Sequence, residues 1–292
     1  MSARVRRVGI LGHTGRPGVR RAAARLAAML ARRGCVVRID AALAGEMGRA
    51  GHPLGALARW CQVMIALGGD GTALNGARAM AGRRGALLPV NLGGLGFLTV
   101  AEGGELGVAT RQAFGGRWPV VRRRLVGAAV RRRERVVHRG RAMNDAVVKT
   151  AGGYSALHLR MTALGHDLGH LVADGVICAS ASGSTAYSLS AGGPVLAPDV
   201  EAFVVTPVCA HTLGSRPLVL SPDGRVTLRV LGSFDRAMLL LDGQESIDLA
   251  AGDEIEVGLT RATVRMFQNP ARPFGRSLQA KLGWQGSERR SL

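Results

Sequence analysis

Along the first hundred positions, apolar residues shift between unbroken short runs and spacings of three and four. Val8-Gly9-Ile10-Leu11 is a run of the kind that fills a strand buried on both faces. Val19, Ala22, Ala23, Leu26, Met29 and Leu30 recur at three and four, which predicts an amphipathic helix with Gly34 as its stop. Cys35 to Ile39 and Val63 to Leu67 read as the next two strands, the latter ending at Gly68-Gly69-Asp70-Gly71-Thr72. A further helix is expected to start with Leu74, Ala77 and Arg78, ahead of a fourth strand from Ala86 to Val90. This alternation predicts a parallel sheet with helices on its faces. Beyond residue 118 the segments shorten: Val136-Val137, Ala146 to Val148, Leu157 to Leu159, Val204-Val205, Leu218 to Leu220, Val226 to Leu228, Met238 to Leu241 and Ile255 to Val257. Turn residues such as Ser221-Pro222-Asp223-Gly224 and Asp242-Gly243 separate them. The expected fold is α/β. A Rossmann-like parallel-sheet domain covers residues 1–118, a β-rich, β-sandwich-like domain covers 119–269, and a tail, 270–292, packs back on the first domain.

Composition narrows the classes. With 47% hydrophobic residues over 292, the chain can build one or two cores, and disorder throughout is excluded. No run of about 18 uncharged apolar residues occurs, so no spanning helix and no membrane partner are expected. The start of the chain lacks a signal-peptide core, and Cys35, Cys61, Cys178 and Cys209 are scattered without CxxC spacing. Reduced thiols, no structural zinc and a cytoplasmic location follow as expectations. Lys plus Arg number 39 against 20 Asp plus Glu, a net charge of +19, and only Lys149 and Lys281 are lysines. Codon bias in a G+C-rich genome accounts for arginine replacing lysine but not for the shortage of acids. Such a surplus attracts polyanions.

The sharpest chemical feature is the Gly68-to-Thr72 loop between a strand and a helix. Open parallel sheets bind ligands beyond the carboxyl ends of their strands. Three glycines let a bulky anion approach the backbone, and the following helix adds its positive end. A carboxylate set among phosphates would be repelled unless it accepts a proton from an attacking hydroxyl or holds a metal. The structural alternative is a tight turn with Asp70 as helix N-cap. Gly93-Gly94-Leu95-Gly96 reads as another tight turn lining the same crevice. Neither a Walker loop nor a dinucleotide fingerprint is present. A second cluster runs from Asp174 to Pro194, dense in small residues and hydroxyls around Tyr187. Its hydroxyls suit sugar or phosphate oxygens and Tyr187 a heterocycle. The competing reading is a Ser-rich turn and a closely packed helix.

Gly68 to Thr72, Asn91 to Thr99 (NLGGLGFLT), Asn144-Asp145, Asp174-Gly175 and Gly183 to Pro194 (GSTAYSLSAGGP) together resemble the bacterial NAD kinase family. His211-Thr212-Leu213, Arg216-Pro217-Leu218 and Lys281-Leu282-Gly283-Trp284 extend the resemblance over nearly the whole chain. It implies an N-terminal α/β and a C-terminal β domain with a dinucleotide bound between them. The implied reaction moves a phosphoryl group from ATP or polyphosphate to the adenosine ribose 2′-hydroxyl of NAD, giving NADP, with a divalent metal such as Mg2+. Under the resemblance Asp70 is the catalytic acid-base residue, with Gly68, Gly69 and Gly71 at the ligand. Asn144, Asp145, Asp174, Thr185, Ala186, Tyr187, Ser190 and Gln244 match cofactor-binding positions. A homodimer or homotetramer is also implied.

Departures from the family pattern are Ala181-Ser182 for the usual Thr-Pro-Thr, and Asp145 for the commoner Glu, one methylene shorter. Val172 stands where relatives vary, leaving NAD versus NADH open. Two other readings remain: a lipid or sphingoid-base kinase sharing GGDG, and an Arg-rich nucleic-acid-binding protein on a degenerate kinase scaffold. No aromatic platform interleaves with Arg122 to Arg124 or Arg131 to Arg133, so no specific nucleic acid is expected and these arginines read as a solvated β surface. His166-Asp167-Leu168-Gly169-His170 misses the metalloprotease pattern and reads as a hairpin with solvent-facing histidines.

Overall fold

The computed structural model describes residues 5–94, 96–152, 156–212, 214–233 and 236–283, so Leu95, Leu213 and Trp284 of the recognised motifs lie outside the described residues. Two compact units emerge, one comprising the chain up to Arg122 and again from Val264, the other Arg123–Thr263.

The first unit opens with β1 (Arg7–Gly12), α1 (Val19–Arg32), β2 (Val36–Ile39), α2 (Ala41–Glu46), α3 (Leu54–Trp60) and β3 (Val63–Gly68). It continues with α4 (Asp70–Met80), β4 (Ala86–Asn91), β5 (Ala101–Glu102) and α5 (Leu106–Phe114). Strands β2, β1, β3 and β4 lie side by side and parallel. Val8, Ile10, Ile65, Leu67, Leu88 and Val90 are fully buried, and α1 sets Val19, Ala23, Leu26 and Leu30 against them. Helix α4 begins at Asp70, four residues ahead of expectation. Gly69 is the extended residue before it, and Asp70 occupies the first turn, where the positive end of the helix favours a carboxylate. Gly76 lets α4 settle on the sheet, since a Cβ there would fall 2.9 Å from Leu87 Cδ1. The short helices α2 and α3 had no sequence warning. Asp40 caps α2, its carboxylate accepting from the Ala42 and Leu43 amides at 3.2 Å each.

Strand β6 (Val120–Arg132) leads into the second unit, followed by β7 (Arg135–Ala142), β8 (Asp145–Thr150), β9 (Leu157–Ala163), β10 (His166–Ala173) and β11 (Gly175–Ser180). Then come α6 (Tyr187–Ser190), β12 (Phe203–Val208), β13 (Leu218–Leu220), β14 (Arg225–Ser233), β15 (Ala237–Leu241), β16 (Glu245–Leu249) and β17 (Glu254–Phe267). Strands β10, β9, β14 and β17 form one antiparallel sheet, which β6 and β7 extend. The other sheet has the order β13-β12-β11-β8-β15-β16, also antiparallel. Leu157, Leu159, Val226 and Leu228 of the first meet Val148, Val176, Cys178, Val205 and Leu239 of the second in one core. Val147, Ile177 and Ala179 are buried on the opposite face with Ala191 packed against them, which is why β8 and β11 read as unbroken apolar runs.

The last residues of β17 belong to the first unit, where Arg265 and Met266 pair parallel with Ala86 and Leu87. Helix α7 (Phe274–Leu282) follows.

Two surface expectations resolve differently. The 166–170 segment does form a hairpin with β9, through left-handed Leu164 and Gly165, and His166 and His170 face solvent. The arginine runs, in contrast, are partly structural. Arg123 is half-buried and donates to Pro198 O, its pKa lowered chiefly by burial. Arg124 donates to Thr260 O at 3.0 Å, and Arg132 grips Asp253 with two bonds of 2.8 and 2.7 Å. Of the cysteines, Cys61 and Cys178 are buried, Cys35 is half-buried and Cys209 is exposed. No described helix is long and apolar enough to cross a membrane.

Candidate active site

Asp70 lies at the carboxyl end of β3, and its carboxylate does not cap the helix it opens. Instead Oδ2 accepts from the Phe97 amide at 2.9 Å and Oδ1 from the Leu98 amide at 3.2 Å. These donors come from the stretch after β4, which is a longer loop leading to β5 and not the tight turn expected from its glycines. The motif residues build that loop from within. Asn91 Oδ1 accepts from the Gly93 amide at 2.9 Å, Asn91 Nδ2 donates to Gly94 O, and Thr99 Oγ1 accepts from the Gly96 amide at 3.0 Å. Residue 96 has to be glycine, because a Cβ there would collide with the Asp70 carboxylate. Gly68 is equally constrained, since a Cβ would collide with Thr72 Oγ1, a buried hydroxyl with no hydrogen-bond partner. Each carboxylate oxygen has two lone-pair directions, so two amides orient Asp70 while leaving it able to accept a ligand hydroxyl.

In the second unit, Asn144 and Asp145 stand at the start of β8, held by a residue that the sequence reading passed over as a turn. Asp242 sits between β15 and β16, left-handed at φ 52°. Its carboxylate accepts from the amides of Met143 at 2.7 Å, Asn144 at 2.7 Å and Asp145 at 3.2 Å. The Asp145 carboxyl is buried beside it, and its pKa is pushed up to about 7, by desolvation first and by the Asp242 charge second. Asn144 Oδ1 is buried without a hydrogen-bond partner. Gln244 is exposed in the same β15–β16 turn.

The hydroxyl-rich segment divides by residue. Ser180 Oγ donates to Met143 O at 2.6 Å, Ser184 Oγ donates to Ala181 O at 2.8 Å, and Ser188 Oγ meets Thr206 Oγ1 at 2.9 Å. All three are buried and satisfied. Thr185 and Ala186 are half-buried, while Tyr187 and Ser190 are exposed, so the accessible residues are the complement of the structural ones. Gly183 brings this segment against Asn144, whose backbone a Cβ at 183 would strike. Asn144, Asp145, Gln244 and the 183–190 segment are thus brought to one end of the sheet. Asp174 is not. It precedes β11, five residues from the Ala179 that pairs with Asp145, or roughly 17 Å at about 3.4 Å per residue. There it bonds the Cys209 thiol, whose pKa it raises.

Residues 8–114 match the ATP-NAD kinase N-terminal domain family and residues 143–268 the ATP-NAD kinase C-terminal domain family. The NAD kinase of Geobacter metallireducens is 34% identical over 280 residues, covering 96% of this chain and 99% of that protein. NAD kinase 2 of Streptomyces coelicolor is 35% identical over 295 residues, covering 97% and 98% respectively. Among solved structures, yeast NADH kinase complexed with NADH superposes with a TM-score of 0.90 at 25% identity, over 99% of this chain and 91% of that one. An Archaeoglobus fulgidus NAD kinase in complex with ATP matches in fold with a TM-score of 0.76 at 23% identity, over 95% and 98%. With a carboxylate restrained at the mouth of a parallel sheet, and both family domains matched in order, the chain belongs to the NAD kinase family.

Proposed function

We propose that this protein transfers the terminal phosphoryl group of ATP to the 2′-hydroxyl of the adenosine ribose of NAD, producing NADP and ADP. The observation that carries the reading is the pinned Asp70 carboxylate. It is fixed by the Phe97 and Leu98 amides at the sheet end where ligands bind, and keeps lone pairs free. The ribose oxygen attacks the γ-phosphorus, the bond to the β–γ bridging oxygen breaks with its electron pair leaving on ADP, and the hydroxyl proton passes to Asp70. Little else is needed from the protein beyond in-line positioning and charge compensation.

Gly68, Gly69 and Gly71 serve as the close-approach loop for phosphate. Asn144, Asp145, Thr185, Ala186, Tyr187, Ser190 and Gln244 hold the dinucleotide, with the partnerless Asn144 Oδ1 awaiting a donor from it. Asp174 is assigned to the dinucleotide on family resemblance alone. A lipid kinase would line its acceptor site with apolar side chains, whereas the accessible ones in the 185–190 segment include Thr185, Tyr187 and Ser190.

Among the described residues, no three His, Cys, Asp or Glu side chains converge to hold a metal, so a resident metal centre does not fit. Mg2+ bound to the donor's phosphates requires no such centre, because it keeps several waters and takes only one or two carboxylates. Arriving with ATP, it belongs to the substrate and supplies charge neutralisation at the phosphate oxygens.

The deciding experiment is NADP formation from NAD and ATP by the wild type and by Asp70→Asn. Turnover is expected to fall by about 10²–10⁴-fold in the variant, with NAD binding retained. Wild-type rates from Asp70→Asn would remove the proton-acceptor role.

A further inference from the structure

The loop between β1 and α1 has no part in the reaction as derived so far, yet it places a cation beside Asp70. Arg16 is half-buried, and no ion pair or side-chain hydrogen bond engages its guanidinium among the described residues. That guanidinium lies against two glycine turns. A Cβ on Gly69 would come to 3.0 Å from Nη1, and one on Gly93 would collide with Nη2. Gly69 directly precedes Asp70, and Gly93 belongs to the loop whose Phe97 and Leu98 amides hold the Asp70 carboxylate. Arg16 and Asp70 therefore share both loops at the carboxyl ends of β3 and β4.

Beside Arg16 a trough opens within the first unit. A cavity of about 330 Å³ is lined by Pro17, Gly18, Leu92, Gly93, Glu102, Gly103 and Gly104, the Glu102 carboxylate being held by Arg272 at 3.2 Å. Four of these, Gly18, Leu92, Gly103 and Gly104, also line an adjoining cavity of about 640 Å³. Spaces of this size take a nucleoside. The residues proposed for the dinucleotide belong to the second unit, apart from Asp70 and its glycines. That leaves the trough available to the phosphoryl donor, and Arg16 adjoins it through its chain neighbour Pro17 and through Gly93, against which its guanidinium lies. A guanidinium presents five donors in a planar fork that matches phosphate oxygens, and a half-buried one without a protein partner is completed by such an anion.

Resting on the kinase reading above, we propose that Arg16 binds the β- and γ-phosphates of the donor triphosphate and compensates the charge that develops there during transfer. Arg16 neither gives nor takes a proton; the proton still goes to Asp70, and the bridging oxygen still leaves on ADP. The glycines at 69 and 93 keep the guanidinium in place by leaving its space empty.

The test compares the wild type, Arg16→Lys and Arg16→Ala. Binding of adenylyl imidodiphosphate, which resembles ATP but does not transfer its phosphate, is measured by calorimetry without NAD, and NAD binding is measured alone. Arg16→Ala is expected to raise the Kd for the analogue at least about tenfold and Arg16→Lys to recover part of this, with the NAD Kd within about twofold of wild type. In turnover, kcat/KM for ATP is expected to fall about 10²–10³-fold in Arg16→Ala, with KM for NAD unchanged. Unchanged analogue binding, an equal loss for NAD and the analogue, or no analogue binding by the wild type would each overturn the assignment. The kinase reading is judged separately, by whether the wild type makes NADP at all. A chain that binds the analogue through Arg16 yet makes no NADP would retain the binding assignment and lose that reading.

Discussion

Asp145 should make the protein less stable as pH rises, and replacing it should undo that loss. The residue is 6% exposed, its pKa is pushed up to about 7 from the ordinary 3.8, and desolvation is the larger cause. Below pH 3.8 the group is neutral in both folded and unfolded chains and costs nothing. Between there and pH 7 the unfolded chain ionises while the folded one keeps its proton, so stability falls as pH increases, then levels off. Three pKa units correspond to about 4 kcal/mol at full extent. Asp145→Asn removes the titration and leaves a polar group of similar shape. The stability advantage of the variant over wild type, from urea unfolding, is expected to grow by about 3 kcal/mol from pH 5 to pH 8. NADP formation should fall in the same variant, since a group proposed to hold the dinucleotide is lost. Parallel pH–stability curves for the two proteins would refute the burial argument, whatever happened to activity.

Gly96→Ala should push the Asp70 carboxylate off its amides and lower kcat by about 100-fold, with the NAD Kd little changed; a kcat within threefold of wild type would show that the loop yields freely. Asp242→Ala strips the partner from three amides at once. It is expected to cost about 2–3 kcal/mol in urea unfolding and to raise KM for NAD through displacement of Asn144, and an effect on neither would remove its positioning role.

Much of the first unit was legible because its strands are short unbroken apolar runs and α1 spans four turns of regular spacing. Helices α2 and α3 escaped because six or seven residues are too few for a period to declare itself. The start of α4 was misplaced because glycines around Asp70 argue locally for a loop, while the helix end favours the carboxylate. At the candidate site, residue type was readable and restraint was not. Nothing local to Asp70 announces amides 27 and 28 positions away, nor does Asp242 announce a clasp on residues 97 to 99 positions earlier. Only strand pairing supplies those neighbours. The Ser182–Ser190 composition fitted a ligand lining and a packed turn equally well, since buried, hydrogen-bonded hydroxyls and accessible side chains are interspersed in it.

The parallel pairing of Arg265 and Met266 with Ala86 and Leu87 has a consequence for biosynthesis. The ribosome releases β4 long before the strand that covers its flank, and all of residues 123–263 must emerge in between. At about 5–20 residues per second this leaves a bare hydrogen-bonding edge for on the order of ten seconds. Vectorial folding therefore cannot finish the amino-terminal unit first, and a nascent chain arrested near residue 122 is expected to engage chaperones or to self-associate through that edge.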